Sequence, residues 1–318
     1  MIETAQAFGV DIGGSGIKAA PVNLEKGEFA EPRLKILTPE VSTPKAVGEI
    51  VRQQLEHFEV PESAPVGIAF PAPIHVGEKL GYMANLDQSW VGVDVTEVFS
   101  EACGRPVTVV NDADAAGLAE QQFGAAKGQD GLVIATTLGT GIGSGIILGG
   151  KILRGFNFAA GEMGHTVIVK GGRKCNCGRY GCWERYASSR ALSEDAREAM
   201  TRHPESMMWK LAGDIDHVNA KIPFDAMEAG DATAKAVVDN WIEYVACGIS
   251  NVVNTFEPEA ICIGGGVSNQ GETLLAPIRK YVEEETKNIT TGKMPAIRAC
   301  VLTNDAGVIG AAALANSI

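Results

Sequence analysis

The sequence predicts an α/β fold, and three observations carry that expectation. Short apolar strands alternate with helices; a strand, glycine turn, strand arrangement occurs twice; and no low-complexity tract or long linker interrupts the chain. The two copies are "AFGVDIGGSGIKAAPVNL" and "GLVIATTLGTGIGSGIILGGKIL", which read as an internal duplication. In the first, an apolar strand ends at Asp11 and a second begins at Ile17, so the whole resembles a hairpin with a bare turn. Next, "STPKAVGEIVRQQLEHF" places Thr43 as an N-cap and Pro44 at the first helical position, with Val47, Ile50, Val51, Leu55 and Phe58 on one face. "APVGIAFPAP" and "RPVTVVNDADAAGLAEQQFG" each supply a short strand, the second running into a helix near Ala113. The second copy follows, with a strand from Leu132, a turn at Gly139 to Gly143 and a strand through Ile146 and Ile147. From "SRALSEDAREAM" to "WIEYVACGISNVVNTFEP" the chain is mainly helical; "EAICIGGGVSN" is a last buried strand and "AGVIGAAALANSI" a terminal helix. A compact boundary is expected close to Asn111, giving a smaller α/β lobe (1–111 with 303–318) and a larger one (112–302) that carries a cysteine-rich loop, 161–188.

With 318 residues, 45% of them hydrophobic, the chain can build one large or two medium domains. No run of about eighteen apolar residues occurs and the first residues lack a basic n-region, so a cytoplasmic, non-membrane protein is expected. A net charge of -12 argues against nucleic acid or an anionic membrane as partner, and a small anionic substrate would need local compensation. Four of the seven cysteines, Cys103, Cys247, Cys262 and Cys300, sit alone among mostly apolar neighbours and read as buried free thiols. Cys175, Cys177 and Cys182 are crowded together, preceded by His165. Three thiolates and an imidazole make a complete tetrahedral Cys3His set of the closed, structural kind, whereas the C-x-C spacing does not match the C-x-x-C of thiol oxidoreductases.

The glycine turns give the first functional signal. Gly13, Gly14 and Gly16 after Asp11 can take conformations closed to other residues and let consecutive N–H groups approach a phosphate, with Ser15 and Lys18 adding a hydroxyl and a charge. One such turn could equally be a tight hairpin. Three of them, including Gly139, Thr140 and Gly141 in "LGTGIGSG" and Gly264, Gly265 and Gly266 in "IGGGVSN", favour nucleotide phosphate binding. Asp112 lies between a strand and a helix; helix chemistry alone reads it, or Asp114, as a cap. Glu101, Glu120 and most other acidic residues read as solvated helix faces.

"DIGGSGIK", "VNDADAAGLAE", "LGTGIGSG", "GEMGH", "CNCGRYGCWE" and "CIGGGVSN", in this order and over nearly the whole chain, resemble the ROK family of sugar kinases, repressors and related open reading frames. The resemblance implies an actin-like ATPase (ribonuclease H-like) fold, with two lobes of duplicated βββαβα topology around a cleft. It also implies transfer of the ATP γ-phosphoryl group to a sugar hydroxyl, glucose at its 6-hydroxyl first among candidates, with Asp112 as general base and Asn111 as a sugar-binding amide. Glu162, His165 and Glu184 match the family's sugar positions, and "NLDQSW" adds Asn85, with Asp87 as a further candidate and Trp90 read as either core or stacking surface. Asp11 would hold Mg²⁺ through water, and His165, Cys175, Cys177 and Cys182 reproduce the family's zinc motif, one structural Zn²⁺ per chain. His165, bound through one nitrogen, could present the other to the sugar.

The first half also resembles the polyphosphate/ATP-dependent glucokinases of the family in "LTPEVSTPKAV", "NLDQSWVG" and "NDADAAGLAE", while the cysteine cluster resembles ordinary ATP-dependent glucokinases. The implied activity is therefore that of an ATP-dependent glucokinase. Alternatives are polyphosphate as donor, another hexose (mannose, fructose, N-acetylglucosamine or N-acetylmannosamine) as acceptor, and, in another class, a non-catalytic sugar-sensing protein. Ten residues precede Asp11, too few for a helix-turn-helix domain, which favours the enzyme. A homodimer is the family expectation.

Overall fold

A computed structural model of the chain describes residues 5–75, 77–83, 85–290 and 293–317. The first half runs β1 (Ala7–Gly13), β2 (Gly16–Asn23), β3 (Glu28–Phe29), β4 (Leu34–Ile36), α1 (Pro44–His57), β5 (Val66–Phe70), α2 (Val95–Cys103), β6 (Thr108–Asn111) and α3 (Asp112–Gln122). The second runs β7 (Leu132–Leu138), β8 (Ile142–Leu148), β9 (Lys151–Ile152), α4 (Glu184–Ala187), α5 (Ser189–Arg202), α6 (Met207–Ala212), α7 (Lys221–Glu228) and α8 (Ala232–Phe256). It ends with β10 (Ala260–Gly264), α9 (Glu272–Thr286), β11 (Ala296–Ala299) and α10 (Ala306–Asn316).

The duplication is realised as two sheets with the same strand order. One is β3-β2-β1-β5-β6, with β4 also paired to β2; the other is β11-β10-β7-β8-β9, which is the same order read from the opposite end. In each, an antiparallel hairpin region joins a parallel edge: β1 pairs β5 and β5 pairs β6 in parallel, as β10 does β11.

Alternation along β1 decides which helix covers which face. Phe8, Val10 and Ile12 join Val47, Ile50, Val51 and Leu55 of α1 and Phe99 of α2 in one core, as the helical periodicity of α1 requires. Thr43 caps α1, accepting a hydrogen bond from the Ala46 N–H. On the opposite face α10 lies so close that a Cβ at Gly9 or Gly67 would collide with the carbonyl oxygens of Val308 and Ala311. Helices α3 and α10 also touch through small residues: a Cβ at Gly310 would collide with the Ala115 carbonyl.

Two compact units emerge, the first Met1–Ala135, Gly145–Gly161 and Val301–Ile318, the second Thr136–Ser144 and Glu162–Cys300. Helix α3, which the sequence reading put beyond the boundary at Asn111, lies with the first unit because its alanines and Gly117 pack on α10 and on the Ala135 and Gly145 backbone region.

One acidic residue departs from expectation. Glu120 is fully buried rather than solvated, and its carboxyl oxygens accept from the backbone N–H groups of Ala125 (2.8 Å), Val301 (3.2 Å) and Leu302 (2.8 Å). It therefore ties the end of α3 to the segment that leads into α10. Glu101 is exposed as expected. Of the lone cysteines, Cys262 is buried and Cys103, Cys247 and Cys300 are half-buried. No helix among the described residues is long and apolar enough to cross a membrane.

Candidate active site and metal centre

In the first unit the turn after Asp11 is a two-residue hairpin, with Gly13 paired to Gly16 around Gly14 and Ser15. None of the three glycines has a positive φ, which corrects the expectation that they supply left-handed backbone. Their value is bareness: a Cβ at Gly14 would stand 3.2 Å from the Asn85 carbonyl oxygen, and one at Gly13 3.2 Å from the Gly16 oxygen. Lys18 is not a free strand residue; its Nζ donates to Asp11 Oδ2 at 2.9 Å and to the Asn304 carbonyl at 3.4 Å. Gly307, at the start of α10, makes room for Asp11, since a Cβ there would come 3.0 Å from Oδ1. The Asp11 carboxylate is thus fixed at a strand end with side-chain exposure of 16%, which suits a group that reaches a hydrated Mg²⁺ through water.

The α3 N-terminus resolves which residue caps it. Asn111 is the N-cap, its Oδ1 accepting from Ala113 N–H at 2.9 Å and Asp114 N–H at 3.3 Å. With the oxygen committed to the helix, the Asn111 NH₂ is the end left to donate to a ligand. Asp112 stands at the first helical position, Oδ1 accepting from Ala113 N–H at 2.8 Å. Asn85 is exposed and its neighbour Asp87 caps a short turn through Ser89 N–H. Trp90 belongs to the core: it is fully buried, its ring centroid 4.8 Å from that of Phe70, and Nε1 donates to the Ser42 carbonyl at 2.8 Å.

In the second unit the glycine turns do more than expose backbone. Gly139 N–H is held by the Gly141 carbonyl at 3.0 Å, and the Gly139 carbonyl accepts from Ser189 N–H (2.9 Å) and Oγ (2.6 Å). Thr140 is exposed at the tip. Glu184 Oε2 accepts from Ile142 N–H at 3.0 Å and fills the place a Cβ of Gly141 would need. Gly141 therefore admits a carboxylate, a contact 43 residues distant in sequence that no local pattern announces. Glu184 is placed by its neighbour Trp183, fully buried, with Nε1 donating to the Tyr244 carbonyl at 2.8 Å and its ring filling the space beside Gly248. Gly264 closes β10; Gly265 has φ +89° and no room for a Cβ against Leu138, so glycine is required there twice over, while Gly266 faces open space.

The cysteine-rich loop folds as a small β-ribbon. Val167 bridges Cys182 and Lys174 bridges Tyr180, and Gly181, φ +82°, turns the chain where a Cβ would strike the Val169 carbonyl. One ligand atom each from His165, Cys175, Cys177 and Cys182 lie within 4.8 Å of one another. Cys175 Sγ is 3.6 Å from His165 Nδ1 and Cys177 Sγ 3.7 Å from Cys182 Sγ. A tetrahedral zinc, with Zn–S about 2.3 Å and Zn–N about 2.0–2.1 Å, has S···N edges of about 3.6 Å and S···S edges of about 3.8 Å. The residues fit a zinc ion, which His165 would hold through Nδ1, the nitrogen that faces Cys175 Sγ. Burial, with hydrogen bonding from Cys177 and Cys175, pushes the Cys182 thiol up to about 12, and burial also raises Cys175. At Cys177 burial is outweighed by the Arg179 N–H and the neighbouring thiols, which lower it. A dication is what would let all three be thiolates together. The other nitrogen of His165, Nε2, is 3.8 Å from Glu162 Oε2 on a half-exposed side chain.

A strand order repeated in two sheets, glycine turns at the strand ends and a Cys3His loop define an actin-like ATPase fold carrying a zinc-type knuckle. The chain belongs to the ROK family, whose model matches residues 7–318. It is 33% identical to a glucokinase of Thermotoga maritima over 96% of both chains. A ROK family glucokinase from Streptomyces griseus, solved in complex with glucose and AMPPNP, superposes with a TM-score of 0.84 at 34% identity, covering 98% of this chain and 99% of that one. A polyphosphate glucokinase of Mycobacterium tuberculosis is 40% identical over 158 residues, 49% of this chain and 58% of the relative.

Proposed function

We propose that the protein is a glucokinase that transfers the γ-phosphoryl group of ATP to the 6-hydroxyl of glucose. The observation that carries this reading is the likeness, over nearly the full length, to the Streptomyces griseus glucokinase bound to glucose and AMPPNP. In this reading Asp112 takes the proton of the sugar hydroxyl as it attacks in line. Asn111 donates its amide NH₂ to the sugar, with its oxygen spent on the α3 cap. Glu162 and Glu184 accept from sugar hydroxyls, each able to take two charge-assisted hydrogen bonds, and His165 donates through Nε2 while Nδ1 faces the metal. Asn85 lies against the first turn and would contact the same ligand.

The turns at Gly13–Gly16 and Gly264–Gly266 would receive the nucleotide, while Gly141 of the second turn makes room for the Glu184 carboxylate. Mg²⁺ bound with ATP neutralises charge on the transferring group, with Asp11 its outer partner, and Zn²⁺, its four positions filled by protein, supplies structure rather than chemistry. Glu162 and Glu184 bracket the zinc ligands in sequence, so a bound ion would hold the two sugar carboxylates on one folded loop. A cytosolic homodimer completes the reading. The likeness to the Mycobacterium tuberculosis enzyme over half the chain favours inorganic polyphosphate as the second candidate donor.

The test is Asp112→Asn. Glucose affinity should stay near normal while kcat falls by about 10²–10⁴, the usual contribution of a positioned base. A variant with ordinary kcat removes Asp112 from the mechanism. Crossing ATP and polyphosphate with glucose, mannose, fructose and N-acetylglucosamine assigns donor and acceptor, and no turnover with any pair overturns the kinase reading.

A further inference from the structure

An acidic chain that binds an oligophosphate needs positive charge where the phosphates sit. Three cations gather beside the first glycine turn, on the α10 face of the first sheet. Lys18 and Lys35 are directly paired across β2 and β4, and Arg33 follows two residues before Lys35 on the same side of the edge strand. Two of the three are answered by carboxylates: Lys18 by Asp11 at 2.9 Å, and Arg33 by Asp305, with a further donation from Arg33 to the Asn304 carbonyl at 3.1 Å. Lys35 has no acidic partner within ion-pair distance among the described residues. Its stem lies across Gly16, where a Cβ would stand 2.4 Å from Lys35 Cε. Its ammonium, one bond further on, is therefore carried to the rim of the turn. Like charges directly opposite on a ladder are unfavourable, so the Lys18–Lys35 pairing gives the sheet no stability. An anion lying between them turns that cost into attraction.

We propose that Lys35, together with Lys18, binds the oligophosphate tail of the phosphoryl donor at the first glycine turn. This extends the kinase reading above and rests on it for the word donor. The chemistry recognised is a chain of anhydride-linked phosphates, whether it ends in a nucleoside or continues as inorganic polyphosphate.

The test compares wild type, Lys35→Ala, Lys35→Met and Lys35→Arg. Lys35→Met keeps a stem over Gly16 without charge, so a merely packing role would leave it intact. Binding of inorganic tripolyphosphate is measured by calorimetry at low, fixed ionic strength, where a lost charge-assisted contact corresponds to a weakening of about tenfold to a hundredfold. Lys35→Ala and Lys35→Met should both weaken binding by that amount and Lys35→Arg should stay within about threefold of wild type, with glucose binding unchanged in all. Equal tripolyphosphate binding by wild type and Lys35→Met overturns the assignment. In steady state, KM for ATP rising with little change in kcat extends the assignment to the nucleotide; a loss confined to ATP, with tripolyphosphate untouched, overturns it. The calorimetric arm needs no turnover, so failure of the kinase reading and failure of this one give different results.

Discussion

Gly141→Ala separates two readings of the second glycine turn. As a phosphate cradle, the turn would show the loss of Gly141 in the affinity for the nucleotide. The structure instead puts Glu184 Oε2 in the place of the missing Cβ, with Cδ 3.1 Å from it. An added methyl therefore forces the carboxylate to swing away and give up the 3.0 Å bond from Ile142 N–H. One hydrogen bond to a charged group contributes about 1.5–3 kcal/mol, and a displaced Glu184 also loses its grip on at least one sugar hydroxyl worth a similar amount. Only the second loss appears in substrate affinity, so KM for glucose should rise about tenfold to a hundredfold while KM for ATP stays within about twofold. The assay is initial-rate kinetics with each substrate varied at saturating levels of the other. An unchanged KM for glucose, or a rise in KM for ATP instead, refutes the assignment of Gly141 to the sugar carboxylate.

Further outcomes follow from the same geometry. Metal analysis of the purified protein should give about one zinc per chain, and Cys177→Ser should lose metal and thermal stability together; an active preparation free of zinc contradicts the structural role. Glu120→Gln can keep the bonds from Ala125 and Val301 but must set an NH₂ against the Leu302 N–H, so a loss of about 2–4 kcal/mol is expected in urea titration, and a change under about 0.5 kcal/mol rejects it. Thr303 is exposed, β-branched and held at φ +48°, so Thr303→Gly should raise the unfolding midpoint by the equivalent of up to about 1 kcal/mol; a lower midpoint shows that the strain is not there to release.

The sequence by itself determined the period of each element and the identity of the chemical groups. The apolar face of α1, the Thr43 cap and the repeated hairpin are local patterns, and they form as read because a helix or hairpin needs little beyond its own residues. The Cys3His set was equally legible, since its spacing within one short loop already limits where the four ligand atoms can go. What only the tertiary structure decided lies between distant residues. Glu120 looks like any surface glutamate until Val301 and Leu302 arrive with N–H groups 181 and 182 residues away. The glycines of the first turn suggested unusual dihedrals, but none of them has a positive φ; what the fold adds is neighbours from elsewhere in the chain, Asn85 at Gly14, Lys35 at Gly16 and, in the second turn, Glu184 at Gly141. Local chemistry fixes which groups a turn can offer, while packing decides which neighbour takes the space a side chain would have filled.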